Sequence, residues 1–409
     1  MSGPVAPAGG THGTGTIASP NDPPILGVLG GGQLGRMLAL AAARLGVRTR
    51  CLDRSADAVA GHVAQLVVAD PDDGGAALDH ALEHFAHGLT AATYEFENVP
   101  AALAARLAEL VPCEPHARAL AAAQDRLVEK RLFESLGIPT HPFAPVDSAA
   151  DARAFGEAHG WPIVLKTRRM GYDGKGQAVV RAAGELDAAL RSIRGEGFVG
   201  ELGLIAETFI PFRRELSVLI VRAHTGEARV YPLCENVHEG GILRVTHAPA
   251  MTDDATRELA ERSARALAEH LGYVGVLALE LFETGDAARP LLANEFAPRV
   301  HNSGHWTMDA SETCQFENHV RAVLGSKLEM ALGATRAIMP CAMVNLIGGV
   351  PPMGEMLAVP GARVHLYGKS ARPGRKLGHV TVRDADAAAV RERAARLREL
   401  ADASERAQG

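Results

Sequence analysis

The stretch VLGGGQLGRM, Val28–Met37, constrains the fold of this chain more than any other. Three glycines spaced Gly30-x-Gly32-x-x-Gly35 follow the apolar run Ile25–Leu29 and lead into a helical pattern over Leu34–Leu45. A strand, a tight glycine turn and a helix in that order make the first unit of a parallel α/β sheet, with the helix N-terminus open to an anion. Asp53 ends a second apolar run, VRTRCLD, at the distance where an acidic residue would hold a ribose hydroxyl. A nicotinamide-dependent dehydrogenase is therefore one reading of the turn.

The alternation continues through a helix at about Gly75–Ala86, the run GLTAATYEF and a helix around Ala101–Leu110. This predicts a Rossmann-like parallel α/β domain over residues 23–122. A helix carrying Arg126 and Lys130 follows, stopped by Gly137 and Pro139. From Ala149 the style changes: a helix closed by Gly160 precedes the extended runs WPIVLK, QAVVR, LGLIAETFI and ELSVLIVRA. These predict a smaller α+β unit at about 149–222 inside a module spanning 123–335. A long helix, about Asp253–Leu271, then leads to an antiparallel hairpin, YVGVLALELF with RPLLANEF. Residues 336–409 are strand-rich and end in a charged helix, Ala385–Ala401. Residues 1–22 have neither a basic start nor an apolar stretch, so they read as a disordered tail and not as a secretory signal.

Composition narrows the function class. The 409 residues are 47% apolar and 22% charged, enough for ordinary globular cores, and no apolar run reaches the length of a spanning helix. A net charge of −6 with 4% aromatics gives neither the basic field nor the stacking platform that nucleic-acid binding needs. Five cysteines lie far apart without a C-x-x-C pair, as expected of reduced cytoplasmic thiols. The expected partners are small molecules, with no nucleic acid and no membrane.

Two constellations carry chemistry. In VLKTRRMGYDGKGQAVV, Val164–Val180, Lys166 ends one strand-like run and a glycine-rich turn enters another, without the spacing, hydroxyl or following helix of a Walker A loop. It resembles a flap whose glycine backbone approaches phosphate oxygens, with Arg168, Arg169 and Lys175 adding charge; solvated turn charges are the alternative. In GVLALELF and LLANEFAPR, a loop centred between Ala287 and Ala288 would set Glu280 opposite Glu295 on one face. Two carboxylates plus the Asn294 amide, completed by phosphate oxygens, suit a Mg²⁺–nucleotide site; a salt-bridged pair with Arg299 as partner is the alternative. The following APRVHNSGHWT, with Arg299, His301, Asn302, Ser303 and His305, offers many donors to a small oxyanion.

Lysine, glycine flap, paired glutamates and the asparagine before the second of them resemble the ATP-grasp superfamily. GGGQLGRML, TYEFENVP, MGYDGKGQ, NVHEGGILR, NEFAPRVHNSGHWT and RPGRKLGHV, in that order from about Pro24 to Arg383, resemble its N5-carboxyaminoimidazole ribonucleotide synthase family. The resemblance implies a Rossmann-like N-terminal domain without a dinucleotide, a central ATP-grasp α+β module and a small strand-rich C-terminal domain. It implies carboxylation of 5-aminoimidazole ribonucleotide by ATP and bicarbonate through carboxyphosphate, with Mg²⁺ (or Mn²⁺), in a cytoplasmic homodimer. Other ATP-grasp ligases, such as the formate-dependent glycinamide ribonucleotide transformylase, and a nucleotide-sensing protein without turnover remain the alternatives.

Carried over by position, the resemblance implies that ATP is bound by Arg126, Lys166, the flap Gly171, Tyr172, Asp173, Gly174, Lys175, Gly176 and Gln177, and by Glu207, Thr208, Phe209 and Ile210. Glu207 and Phe209 would line the adenine pocket and Glu215 would meet the ribose, with His238, Asn294 and Glu295 completing the nucleotide site. Glu280 and Glu295 would hold the metal. Gly32, Gln33, Leu34, Tyr172 and Asp173 would contact the ribonucleotide, and Lys369, Arg372, Arg375 and Lys376 would neutralise its phosphate. Arg299, His301, Asn302 and Ser303 would hold bicarbonate and carboxyphosphate, and Asp173, Arg299 and Lys166 are the expected catalytic residues.

Overall fold

The computed structural model describes residues 23–71, 73, 75–171, 176–194 and 203–408. The expectation for residues 1–22, and those for Tyr172, Asp173, Gly174 and Lys175, fall outside them.

Three sheets frame the molecule. The first is fully parallel, in the spatial order Gln65–Val68, Arg48–Asp53, Ile25–Leu29, Ala91–Tyr94. Its first crossover is the helix Gln33–Arg44, whose buried Leu34, Met37, Leu38, Ala41 and Ala42 repeat at helical spacing and form one apolar stripe. The second sheet has nine strands and is antiparallel throughout. Its main path runs Leu291–Ala297, Gly275–Glu283, Arg214–Arg222, Cys234–Glu239, Ile242–Ala248, Cys341–Ile347, Lys376–Arg383, Arg363–Leu366. The strand GVLALELFE, second from one edge, is nearly all apolar, because helices Asp254–His270 and Gln315–Leu328 both pack on it. The third sheet, in the order Phe143–Val146, Leu204–Thr208, Ile163–Thr167, Gln177–Val180, takes three of the four runs expected in the smaller unit; the fourth, ELSVLIVRA, is the strand Arg214–Arg222 of the nine-stranded sheet, and Phe143–Val146 joins from before residue 149. Helices Ala149–His159 and Leu186–Arg194 contact it over a core that includes Phe155, Ile163, Leu165 and Leu204.

Two differences from the sequence expectation matter for the site. The strands after residue 340, expected as a small strand-rich domain, are continuous with the central sheet, with Val245 opposite Val344. The segment around NVHEGGILR contains two of the central strands, with a bulge between Val237 and His238. The terminal helix also runs further than expected, Ala387–Arg406, because Val390, Ala394, Leu397 and Ala401 continue its buried stripe. Among the described residues no helix is long and apolar enough to cross a membrane.

Candidate functional site

The glycine turn is already filled by the chain itself. Glu95, just past the end of the strand Ala91–Tyr94, places its carboxylate on the N-terminus of the helix Gln33–Arg44. It accepts hydrogen bonds from the Gly32 N–H and, at 2.6 Å, from the Gly35 N–H. A Cβ at Gly32 would lie 2.6 Å from a Glu95 oxygen, and one at Gly30, where φ is +103°, would lie 2.5 Å from its Cγ. The glycines therefore make room for an internal carboxylate. Asp53 accepts from the N–H groups of Gly31 at 2.7 Å and Ser55 at 2.9 Å, so it is tied to the turn. Both signals that suggested a dinucleotide are absorbed internally. Gly32 correspondingly has no N–H left for a substrate phosphate, which corrects that expectation, while Gln33 and Leu34 do line the adjoining cavity.

That cavity, about 1490 Å³, lies between the three sheets. Glu280 and Glu295 are register partners, as the loop symmetry requires. The symmetry fails one residue later: Leu281 pairs with Ala293, so Asn294 bulges out of the ladder. Its Oδ1 is buried without a hydrogen-bond partner. Both carboxylates face the cavity, and each already has a partner: His301 Nε2 lies 3.0 Å from Glu280 and the Arg126 guanidinium Nη1 lies 2.6 Å from Glu295. Burial alone would push the Glu280 carboxyl up; the His301 hydrogen bond and the charges of His301, His238 and Arg299 instead hold it below the ordinary carboxylate range. Arg299 does not bridge the two acids, as the alternative reading required. It pairs with Glu97, two residues beyond Glu95.

No cluster of three or more His, Cys, Asp or Glu side chains poised to hold a metal occurs among the described residues. Two carboxylates and an orphaned amide oxygen nevertheless fit a hard cation whose remaining ligands come from a bound phosphate.

A charge cluster whose members come from distant parts of the sequence lies at the cavity wall, where Glu207, Lys166 and His141 line it. Glu207 Oε2 is 2.5 Å from Lys166 Nζ and 2.9 Å from His141 Nε2, and its other oxygen is 3.8 Å from Lys130 Nζ. Burial opposes the Glu207 charge, but Lys130, Lys166 and His141 hold its carboxyl well below the usual value. Burial pushes Lys130 down to about 8 and His141 to about 4. Glu129, also buried, accepts from the Phe296 N–H at 2.7 Å, and burial together with the Glu295 charge pushes it up to about 8.

The Glu129 shift has a measurable sign. An acid raised from 4.5 to about 8 keeps in the fold a proton that the unfolded chain gives up, so stability falls as pH rises through that window. Glu129→Gln keeps an acceptor for Phe296 and cannot ionise. Its stability relative to the parent should rise between about pH 5 and 9, reaching about 1 kcal/mol or more, as read from urea unfolding at several pH values.

The other expected residues are placed as follows. Thr208, Phe209, Ile210, Glu215, His238, Gly171 and Gln177 border the cavity, and His238 Nδ1 lies 3.1 Å from Glu215. Gly176 lies in the flap hairpin, its carbonyl accepting from the Thr167 N–H at 2.8 Å. Arg168 and Arg169 do not wait for an anion: both pair with Asp125, the N-cap of the helix Arg126–Ser135. Arg299, His301 and Asn302 reach the cavity, whereas Ser303 is fully buried behind His301 and does not line it. Lys369, Arg372, Arg375 and Lys376 form a basic rim at the end nearest the glycine turn, with Lys369 hydrogen-bonded to Gln33. Burial, and then its cationic neighbours against the opposing pull of Glu95, lowers the Lys369 ammonium. Glu95 and Glu97 of TYEFENVP, together with Glu129, Lys130 and His141, were given no site role by the sequence reading. The position of Glu95 and Glu97 beyond the carboxyl end of a parallel strand was the available signal for those two.

Known proteins share this arrangement. Three family models match: a ribonucleotide synthetase preATP-grasp domain over residues 24–124, an ATP-grasp domain over 131–316 and a phosphoribosylaminoimidazole carboxylase C-terminal domain over 341–393. The N5-carboxyaminoimidazole ribonucleotide synthase of Pseudomonas aeruginosa is 44% identical over 92% of this chain and 99% of its own length. That of Brucella melitensis is 44% identical over 87% of this chain and 95% of its own. The crystal structure of the Thermus thermophilus synthetase superposes with a TM-score of 0.84 at 51% identity, covering 92% of this chain and 98% of that one. The Aspergillus clavatus enzyme, solved with ADP and 5-aminoimidazole ribonucleotide, gives 0.83 at 29% identity over 93% of this chain and 99% of that one. With its three matched regions and its paired glutamates in register, the chain belongs to the N5-carboxyaminoimidazole ribonucleotide synthase family of ATP-grasp ligases.

Proposed function

We propose that this chain performs its family's ATP-dependent carboxylation of 5-aminoimidazole ribonucleotide inside the cavity between the three sheets, using bicarbonate and passing through carboxyphosphate. The observation that carries the reading is the facing pair Glu280 and Glu295 with the bulged Asn294, lining the same cavity as Lys166 and Arg299. Glu280, Glu295 and the Asn294 oxygen would hold Mg²⁺ (or Mn²⁺), which when bound neutralises phosphate charge.

The chain's own groups do the rest. Lys166 and Arg126 leave Glu207 and Glu295 to meet the phosphates, and Thr208–Ile210 and Glu215 border the space for adenosine. A bicarbonate oxygen attacks the γ-phosphorus, the bond to the β,γ-bridging oxygen breaks and ADP leaves, with Arg299 and Lys166 neutralising the equatorial oxygens. The exocyclic amine then bonds to the carboxyl carbon, either as the C–O bond to phosphate breaks or after that cleavage has released CO₂, and Asp173 is the candidate base for the amine proton.

The basic rim at Lys369, Arg372, Arg375 and Lys376 takes the ribonucleotide phosphate. Lys369→Ala should raise the KM for ribonucleotide about tenfold or more while leaving that for ATP nearly unchanged. An equal rise in both would remove the rim from the substrate site. Five unpaired cysteines, four of them buried, support a reducing cytoplasmic setting. A homodimer is the proposed assembly, to be checked by sedimentation.

The deciding measurement is coupled ADP release with bicarbonate and aminoimidazole ribonucleotide omitted in turn. Turnover should require both, and formate with glycinamide ribonucleotide should not replace them. Full turnover without bicarbonate would overturn the assignment.

A further inference from the structure

A file of buried polar side chains runs beneath the proposed anion loop. Thr246 Oγ1 donates to Asn236 Oδ1 at 2.9 Å, Asn236 Nδ2 donates to Ser217 Oγ at 2.9 Å, and Ser217 Oγ donates to Ser303 Oγ at 2.8 Å. Ser303 Oγ lies 2.8 Å from His301 Nδ1. Thr246, Ser217 and Ser303 are fully buried and Asn236 nearly so, so none of the four has ready access to solvent. The file crosses four elements: the strand Arg214–Arg222, the hairpin strands Cys234–Glu239 and Ile242–Ala248, and the turn after Val300.

Its polarity is set at one end by the amide. Asn236 has its oxygen occupied by Thr246 and gives its N–H to Ser217, so Ser217 passes its proton to Ser303 and Ser303 passes its own to His301. A second donor agrees: the Ser303 backbone N–H, which can only donate, also points at His301 Nδ1, at 3.4 Å. Two donors on one ring nitrogen leave it the acceptor, and the neutral ring must carry its proton on Nε2, the nitrogen facing Glu280 and the cavity. The ring's backbone is clamped as well, since Gln315 accepts from the His301 N–H at 2.9 Å and donates to its carbonyl at 2.7 Å.

We propose that Thr246, Asn236, Ser217 and Ser303 are positioning residues that lock His301 in its Nε2–H form, making it a hydrogen-bond donor to the carboxylating anion. The proposal rests on the reaction assigned above and adds the reason for the buried file. When Glu280 turns to a cation, the Nε2–H it held is released toward the bicarbonate oxygen, and a lone pair at that place would repel the anion instead. This also accounts for Ser303, which lies too deep to touch the anion itself.

The test begins on the ligand-free full chain, with ¹⁵N-labelled histidine and the His301 ring signals identified by their loss in His301→Asn. At alkaline pH the parent should show a protonated Nε2 and an unprotonated Nδ1; a protonated Nδ1 would overturn the lock whatever the reaction is. Asn236→Asp replaces the donor with an acceptor and should reverse the file, moving the proton to Nδ1. Ser303→Ala should lose the single tautomer and raise the KM for bicarbonate about tenfold with little change for ATP, and Ser303→Thr should restore both. If Ser303→Ala scrambles the tautomer but leaves the bicarbonate KM unchanged, the donor role falls. If the parent's ADP release proves independent of bicarbonate, the assigned reaction falls while the tautomer result stands.

Discussion

Glu295→Gln is expected to abolish cation-dependent turnover and leave the fold intact. The amide oxygen can still accept from Arg126, whose Nη1 lies 2.6 Å from the native carboxylate, so the ion pair becomes a hydrogen bond and no buried donor is stranded. The negative charge facing Glu280 across the ladder is lost. Removing one charged group that stabilises a phosphoryl-transfer transition state costs about 10²- to 10³-fold in turnover. ADP release across a Mg²⁺ titration, with thermal unfolding in parallel, reads both halves of the expectation. Activity close to the parent's would remove the metal assignment. Glu280→Gln is a less clean probe, because it also disturbs the His301 contact at 3.0 Å.

Glu207→Gln should be the most destabilising single change in the site. Lys130 is wholly buried, and once the carboxylate is gone its ammonium keeps only the Ala293 carbonyl at 3.2 Å and the His141 ring at 3.5 Å. Breaking a buried ion pair from one side costs about 3–5 kcal/mol. Lys166 escapes that cost by turning into the cavity, which it already lines. The sign with pH is distinctive. Burial already lowers Lys130 from 10.5 to about 8, and a base lowered in the fold is more stable as the neutral amine. In the variant, stability should therefore recover as pH rises toward 10.5, where the unfolded chain also becomes neutral. Lys130→Met combined with Glu207→Gln should lose much less than Glu207→Gln alone. Urea unfolding of the ligand-free chain reads all three, and a double variant as unstable as the single one would show that Lys130 is not the cause.

What could be read from the sequence follows from the range of each interaction. The helices over Ala101–Leu110 and Ala149–His159 and the strand runs of the hairpin were legible because period and termination are local: Gly160, at φ +86°, closes its helix within one turn. The facing of Glu280 and Glu295 was legible because a hairpin's register follows from its loop. The bulge that frees Asn294 was not, since one extra residue in a ladder leaves no mark on the alternation. Partners chosen across the fold were equally hidden. Lys130 meets Glu207 across 77 positions of sequence, taking 207 minus 130, and Arg299 meets Glu97 across 202. Spacing within one segment therefore offered Arg299 the nearby acids, whereas packing gave it a different one. Ser303 was misplaced for a similar reason: a polar side chain in a polar loop looks available until burial is known.

The carboxylate of Glu95 on the N-terminus of the helix Gln33–Arg44 has a practical consequence. This fold ordinarily offers those amides to a diffusible cofactor, and here the seat is taken by a covalently tethered guest whose local concentration no solute can match. Dinucleotide mimics should thus find no foothold at this turn, and inhibitor discovery against the N-terminal third gains more from molecules that reach Gln33 and Lys369 beside it. Emptying the seat by shortening Glu95 would be the first move in any attempt to teach this scaffold to accept a nicotinamide.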